Sequence, residues 1–183
     1  MIWVYPSIVS KGKEQRAGTS WQRECEADSV VTEVLALLTE SPNLSIGVIT
    51  FFAAQREVIL EKLSQVNICL KTKDGWEFLP GFKTTKDGEE KLRVGSVDAF
   101  QGKEFDVVIL STVRANNFSS SDENSFRKKY GFIRTPNRLN VAFSRARSLI
   151  KVVGDKDMFS GESARQAIPQ VWSFYHQLCE VAK

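Results

Sequence analysis

The chain has 183 residues, 42% hydrophobic and 26% charged, which suits a globular protein with one sizeable core. A net charge of +3 is too small to argue for nucleic-acid binding by itself. No apolar run approaches the roughly 20 residues of a membrane span. The first residues also lack a signal peptide's basic region and cleavage site. An intracellular protein, cytoplasmic or nuclear and without membrane partners, is therefore expected.

Residues 2–5 read as a strand and the polar, Gly-containing stretch 10–21 as a loop. Ala27, Val30, Val31, Val34, Leu35 and Leu38 recur at helical spacing, and Ser41-Pro42-Asn43 ends that helix. A strand over 46–52, a helix over 54–63 and a strand over 66–70 follow. Residues 71–91 carry three turn signals, Asp74-Gly75, Pro80-Gly81 and Asp87-Gly88, with room for a small hairpin. Strands are expected over 92–97, 105–112 and 149–153. Residues 116–129, Ser/Asn-rich and then basic, read as a mobile loop. Thr135-Pro136 is a helix start, with Thr as N-cap and Pro in the first turn. Ile168, Val171, Trp172, Tyr175, Leu178, Cys179 and Ala182 form the apolar stripe of a last helix.

Apolar, Val/Ile-rich strands alternating with helices imply a doubly wound, mainly parallel α/β sheet flanked by helices. No domain boundary is visible, so residues 1–183 are expected to form one domain with loop insertions at about 71–91 and 116–129. Cys25, Cys69 and Cys179 are odd in number and far apart, as reduced thiols would be. With His176 the sole histidine and no close Cys pair, no metal site is expected.

The chemistry concentrates between Ser96 and Arg147. Ser96-Val97-Asp98-Ala99-Phe100-Gln101-Gly102-Lys103-Glu104 leads into the apolar strand Phe105-Asp106-Val107-Val108-Ile109-Leu110. In an open α/β sheet, ligands bind at the carboxyl ends of strands. There Thr50 and Ser96 can donate hydroxyl hydrogen bonds to a phosphate backbone. Gly102 permits positive φ or close approach of a ligand, and Glu104 can accept from ribose hydroxyls. The apolar strand is followed by Ser111-Thr112 rather than an acidic pair, and the chain contains no Gly-x-x-x-x-Gly-Lys-Ser/Thr cradle.

Between Asn124 and Gly154 there is no Asp or Glu, while Arg127, Lys128, Lys129, Arg134, Arg138, Arg145, Arg147 and Lys151 fall in that window. A block of one sign suits a phosphate partner. On a helix continuing from Pro136 at about 100° per residue, Arg138 and Arg145 share one flank and Arg147 projects about 160° away from Arg145. A guanidinium on the first flank suits the charge on a transferring phosphoryl group.

These segments resemble superfamily 1B helicases of the branch of senataxin and the nonsense-mediated-decay helicase. Ile46-Gly47-Val48-Ile49-Thr50-Phe51-Phe52-Ala53-Ala54-Gln55-Arg56 is similar to their fourth motif. Residues 94–114 resemble the fifth, and Gly131-Phe132-Ile133 with Asn137-Arg138-Leu139-Asn140-Val141-Ala142-Phe143-Ser144-Arg145-Ala146-Arg147 resemble the sixth and its lead-in. The resemblance implies the second RecA-like motor domain, a P-loop NTPase fold without its P-loop. It implies Arg145 as arginine finger, with Gly102, Lys103, Glu104 and Arg138 around ATP. Thr50, Gln55, Arg56, Ser96 and Asp98 would lie near single-stranded DNA or RNA. ATP and Mg2+ would be shared with an N-terminal P-loop motor domain of the same parent chain. Ser144 stands where the family often has Thr, and Asn137 where Arg is common. The alternative is a non-catalytic nucleic-acid-binding or regulatory module that keeps the fold. A third class, a non-helicase nucleotide enzyme, lacks a Gly-rich fingerprint or acid/base pair.

Overall fold

The computed structural model describes residues 2–4, 12–119 and 121–169. Nearly all of the expected last helix, with His176 and Cys179, lies outside them. The strands are β1 Ile2–Val4, β2 Gln15–Ala17, β3 Ser20–Gln22, β4 Ile46–Thr50, β5 Cys69–Thr72, β6 Gly75–Phe78, β7 Leu92–Ser96, β8 Phe105–Ser111 and β9 Ala146–Val153. The helices are α1 Glu24–Glu40, α2 Ala53–Gln65, α3 Pro80–Lys83, α4 Glu123–Tyr130, α5 Pro136–Phe143, α6 Lys156–Ser160 and α7 Glu162–Ala167. Five strands make one all-parallel sheet in the order β1-β9-β8-β4-β7.

Both faces of this sheet are covered, which is why its strands are apolar throughout rather than alternating. Ile46 and Val48 of β4, with Val107 and Ile109 of β8, pack against Val30, Val34, Ile59 and Leu63 of α1 and α2. Ile49, Val108 and Leu110 point the other way, toward Phe100, Leu139, Ala142 and Phe159. This is the doubly wound α/β fold expected from the alternation of elements.

The connection from β7 to β8 has to cross over β4, because β4 lies between them. It does so in residues 97–104, beginning with a 3-10 turn over Val97–Phe100. Eight residues reach at most about 27 Å, so the connection must lie flat on the sheet. Glycines make the space. A Cβ on Gly47 would sit 2.8 Å from the Phe100 ring and 3.0 Å from Phe105, and one on Gly95 would sit 3.1 Å from Ala99 and 3.2 Å from Phe100. Phe100 is fully buried there, edge-on to Phe105 with centroids 5.4 Å apart.

Four expectations change. The loop at 10–21 contains the β2–β3 hairpin, closed by Gly18-Thr19 with Gly18 at φ +59°. Gly supplies the positive φ of a two-residue turn, and strands this short carry no periodic signal. The strand expected at 66–70 is β5, which pairs only with β6 in a separate antiparallel hairpin; Val66 and Leu70 are exposed. Asp74-Gly75 does close that hairpin. Residues 116–129, expected as a mobile loop, hold most of α4, started by a capping box between Asp122 and Ser125. Its last turn carries Arg127, Lys128 and Lys129, where cations suit the helix dipole. Finally, α5 stops at Phe143 with Ser144 as C-cap, and β9 begins at Ala146.

Gly47→Ala should destabilise the protein by about 1–3 kcal/mol, the usual cost of overpacking. Gly81→Ala, with nothing within 4 Å of the added Cβ, should change stability by no more than about 0.5 kcal/mol. Urea unfolding of the two variants checks this.

Candidate functional site

The parallel sheet separates the motif residues onto two edges. At the amino edge, where β8 and β9 start, the Phe105 amide donates to the Arg145 carbonyl at 2.9 Å, and Arg145 Nη1 donates to the Lys103 carbonyl at 3.4 Å. Arg145 also bonds the Val141 carbonyl and the Ser144 hydroxyl. Gly102, Lys103, Glu104 and Arg145 are therefore neighbours. This edge is opposite the strand ends where the sequence placed the first of these motifs, because the 97–104 connection carries the chain across the whole sheet.

The helical-wheel comparison of Arg145 with Arg147 does not survive, since neither residue is on α5. Arg147 lies on β9 and pairs with Glu89 at 2.8 Å, Glu104 at 3.7 Å and Asp106 at 3.8 Å. Hydrogen bonds from Arg147 to Glu89 hold its guanidinium above the ordinary arginine pKa. Glu90 binds Arg93 and Lys103. Burial pushes its carboxyl up, but the hydrogen bonds from Arg93 and Lys103 outweigh that and hold it below the usual range. Arg145 makes no ion pair within 4 Å among the described residues. A small cleft of about 270 Å³ lies here between Glu89, Glu90, Lys103, Glu104, Phe105 and Arg147. Exposed Asp98 and half-buried Arg138 face each other at 3.9 Å and line another, of about 200 Å³, with Gln101 and Asn137.

At the carboxyl edge, Ser96, Thr50 and Ser111 end three adjacent strands in register. Thr50 is fully buried, and its hydroxyl accepts from the Phe52 amide at 3.3 Å. Gln55 is fully buried as well. It accepts from the Arg23 amide and donates to the Arg23 carbonyl and the Ser111 hydroxyl. Both side chains are thus buried and already hydrogen-bonded within the protein. Arg56 is half-buried and paired with Glu57 at 2.6 Å; Ser96 is half-buried and Asp98 exposed.

Beside this edge opens a cleft of about 1160 Å³, lined by Trp21, Phe51, Phe52 and Phe132 and by Arg16, Arg114, Arg127, Lys128 and Arg134, with Glu123 its one carboxylate. The acid-free window is not one basic face. Several of its cations draw partners from outside it: Arg134 pairs with Glu123, Arg138 with Asp98, Arg147 with Glu89 and Lys151 with Glu33. Arg127 and Lys128 make no ion pair within 4 Å among the described residues and rim the cleft.

The profile of the AAA domain family (AAA_12) matches residues 3–157. The chain belongs to that family. Proteins named as helicases and as regulators of nonsense transcripts are among those it is similar to. It is 35% identical over 158 residues to "ATP-dependent helicase NAM7" of Saccharomyces cerevisiae, covering 85% of this chain and 13% of the relative. It is 34% identical over 155 residues to "Regulator of nonsense transcripts 1 homolog" of Arabidopsis thaliana, covering 83% of this chain and 10% of the relative. The Dictyostelium discoideum "Regulator of nonsense transcripts 1" is 32% identical over 149 residues, covering 79% of this chain and 9% of the relative. The chain thus spans about a tenth of the length of these relatives.

Under the carboxyl edge this AAA domain buries two charge pairs that the sequence did not announce. Arg114 pairs with Glu14 at 2.9 Å, donates to the Lys128 and Lys129 carbonyls, and stacks on Trp21 with its guanidinium carbon 4.9 Å from the ring centroid. Glu26, fully buried, accepts from the Ser111 hydroxyl and the Val113 amide at 2.7 Å each, with Arg23 at 3.5 Å. The Val113 amide is presented by a backbone at φ +66°, a conformation that costs a β-branched residue.

Burial pushes the Glu26 carboxyl up to about 7, against the lowering effect of Ser111, Val113 and Arg23. From about pH 4.5 to 7 the native state holds a proton that the unfolded chain has released. Stability from this group is therefore fullest below pH 4.5 and falls as pH rises to 7. Glu26→Gln should flatten that decline by roughly 2–3 kcal/mol. Urea unfolding across this pH range on wild type and variant is the measurement.

Proposed function

We propose that this AAA domain is the second RecA-like motor domain of an ATP-dependent nucleic-acid helicase or translocase. In this reading it supplies the arginine finger, a ribose contact and part of a single-strand groove. The observation that carries the reading is the juxtaposition at the amino edge. Lys103 and Glu104, which arrive on the crossover, meet Arg145, which arrives at the start of β9. Among the cations of that edge, Arg147, Arg93 and Lys103 are engaged by carboxylates, whereas Arg145 is held by carbonyls and a hydroxyl. Carbonyl bonds orient a guanidinium without neutralising it, as stabilising a phosphoryl transition state requires.

The residues fit a nucleotide substrate in a limited way. Exposed Glu104 can accept from ribose hydroxyls, with Gly102 at φ +74° keeping the backbone low beside it, and Arg145 can face phosphoryl oxygens. Among the described residues no group of three or more His, Cys, Asp or Glu side chains is placed to hold a metal ion. Mg2+ and the phosphate cradle belong, in this reading, to a P-loop domain of the parent chain. That helicases are among the relatives supports the same assignment.

In a parent chain that joins the P-loop domain to this one, Arg145→Ala should lower nucleic-acid-stimulated ATP hydrolysis by about 10³–10⁵-fold while thermal melting stays near wild type. Arg147→Ala removes the partner of Glu89, Glu104 and Asp106 and should lower turnover far less. Single-turnover hydrolysis with parallel melts tests both, and near wild-type turnover by Arg145→Ala would overturn the assignment. The 183-residue chain alone should not turn over ATP, which a phosphate-release assay with and without single-stranded nucleic acid checks.

A further inference from the structure

The cleft beside the carboxyl edge has aromatic walls and a basic rim. Arg114 is clamped between Trp21 and Phe52, with its guanidinium carbon 4.9 Å and 5.9 Å from the two ring centroids. Phe52 faces Phe132 at 6.3 Å with planes tilted by 50°, and Arg138 lies 4.8 Å from the Phe132 centroid. The series Trp21, Arg114, Phe52, Phe132, Arg138 is one continuous run of rings and guanidinium groups. The buried Arg114–Glu14 pair and the α4 carbonyls fix it from behind.

Its outer end is open. Phe132 is 53% exposed, the most exposed large apolar side chain among the described residues, and Phe118, 44% exposed, lines the same cleft. The open side is cationic. Arg16, Arg127 and Lys128 are exposed at the rim, and the lone carboxylate, Glu123, is already paired with Arg134 at 2.8 Å.

We infer that this cleft is a stacking site for unpaired bases of a single-stranded nucleic acid, with Phe132 as the open platform and Arg16, Arg127 and Lys128 on the phosphates. The inference rests on the nucleic-acid reading above. It assigns base stacking at this edge to residues other than Thr50 and Gln55, which are fully buried. Aromatic faces under a basic rim match the chemistry of a single strand, whose bases present π-faces inward and phosphates outward. A hydrophobic peptide would not need the cations, and an acidic peptide would not need the exposed rings.

The test titrates this chain with a fluorescein-labelled oligodeoxyadenylate and with an abasic sugar-phosphate strand of the same length and charge. Stacking is worth about 1–3 kcal/mol per base, so the base-bearing strand should bind at least about fivefold tighter. Phe132→Ala should collapse that ratio to within about threefold and leave abasic binding unchanged, and Phe132→Tyr should restore it. Equal affinity for the two strands, with binding still salt-sensitive, overturns the stacking site and leaves the proposed function standing. Failure to bind either strand counts against both. Displacement of the base-bearing strand by oligoglutamate as readily as by the abasic strand overturns the inference in favour of an acidic-peptide site.

Discussion

In an all-parallel sheet every connection must carry the chain from the carboxyl edge back to the amino edge, and this constraint decides where the chemistry of the protein sits. Most parallel crossovers use a dozen residues or more; the one from β7 to β8 uses eight. It succeeds because β4 and β7 present bare backbone at Gly47 and Gly95, so Phe100 lies directly on the sheet. One continuous motif therefore begins with Ser96 at the carboxyl edge and ends with Glu104 at the amino edge. Phe100 pins this short segment at its middle.

The carboxyl edge is built differently, around buried polarity. Burying Glu26, Arg23, Gln55, Glu14 and Arg114 is costly, and it is tolerated because nearly all their polar atoms find partners. The exceptions among the described residues are Glu14 Oε1, Arg23 Nη1 and Glu26 Oε2, which lack hydrogen bonds and rely on opposite charge nearby. The cluster ties the β2–β3 hairpin and the start of α1 to the ends of β4 and β8. It turns an edge that would expose strand ends into the rigid floor of the aromatic cleft. At the amino edge the ion pairs with Glu89 and Glu90 are exposed or half-buried, and the exposed ones are individually weak.

What could be read in advance followed the range of the interaction responsible. The apolar runs at Ile46–Thr50 and Phe105–Ser111 and the 3.6-residue stripe of α1 are local patterns, and they yielded the fold class directly. The motifs that carry the family resemblance were also legible, because each is a contiguous run. The hairpin at Gln15–Gln22 was missed, since three-residue strands are too short to show a period. The wheel for Arg145 and Arg147 failed because it extrapolated a helix past Phe143, where β9 takes over the backbone hydrogen bonds.

By itself, then, the sequence determined a doubly wound α/β domain, the helix start at Thr135-Pro136, and the contiguous runs that carry the family resemblance. Only the tertiary structure decided that Thr50 and Gln55 are buried while Phe132 is open, that Arg147 is neutralised while Arg145 is not, and that an acid-free stretch is not an unpaired one. The reason is physical: burial and charge pairing are set by residues up to about a hundred positions away, as with Ala115 and Glu14 or Lys151 and Glu33, and no local window of sequence contains both partners.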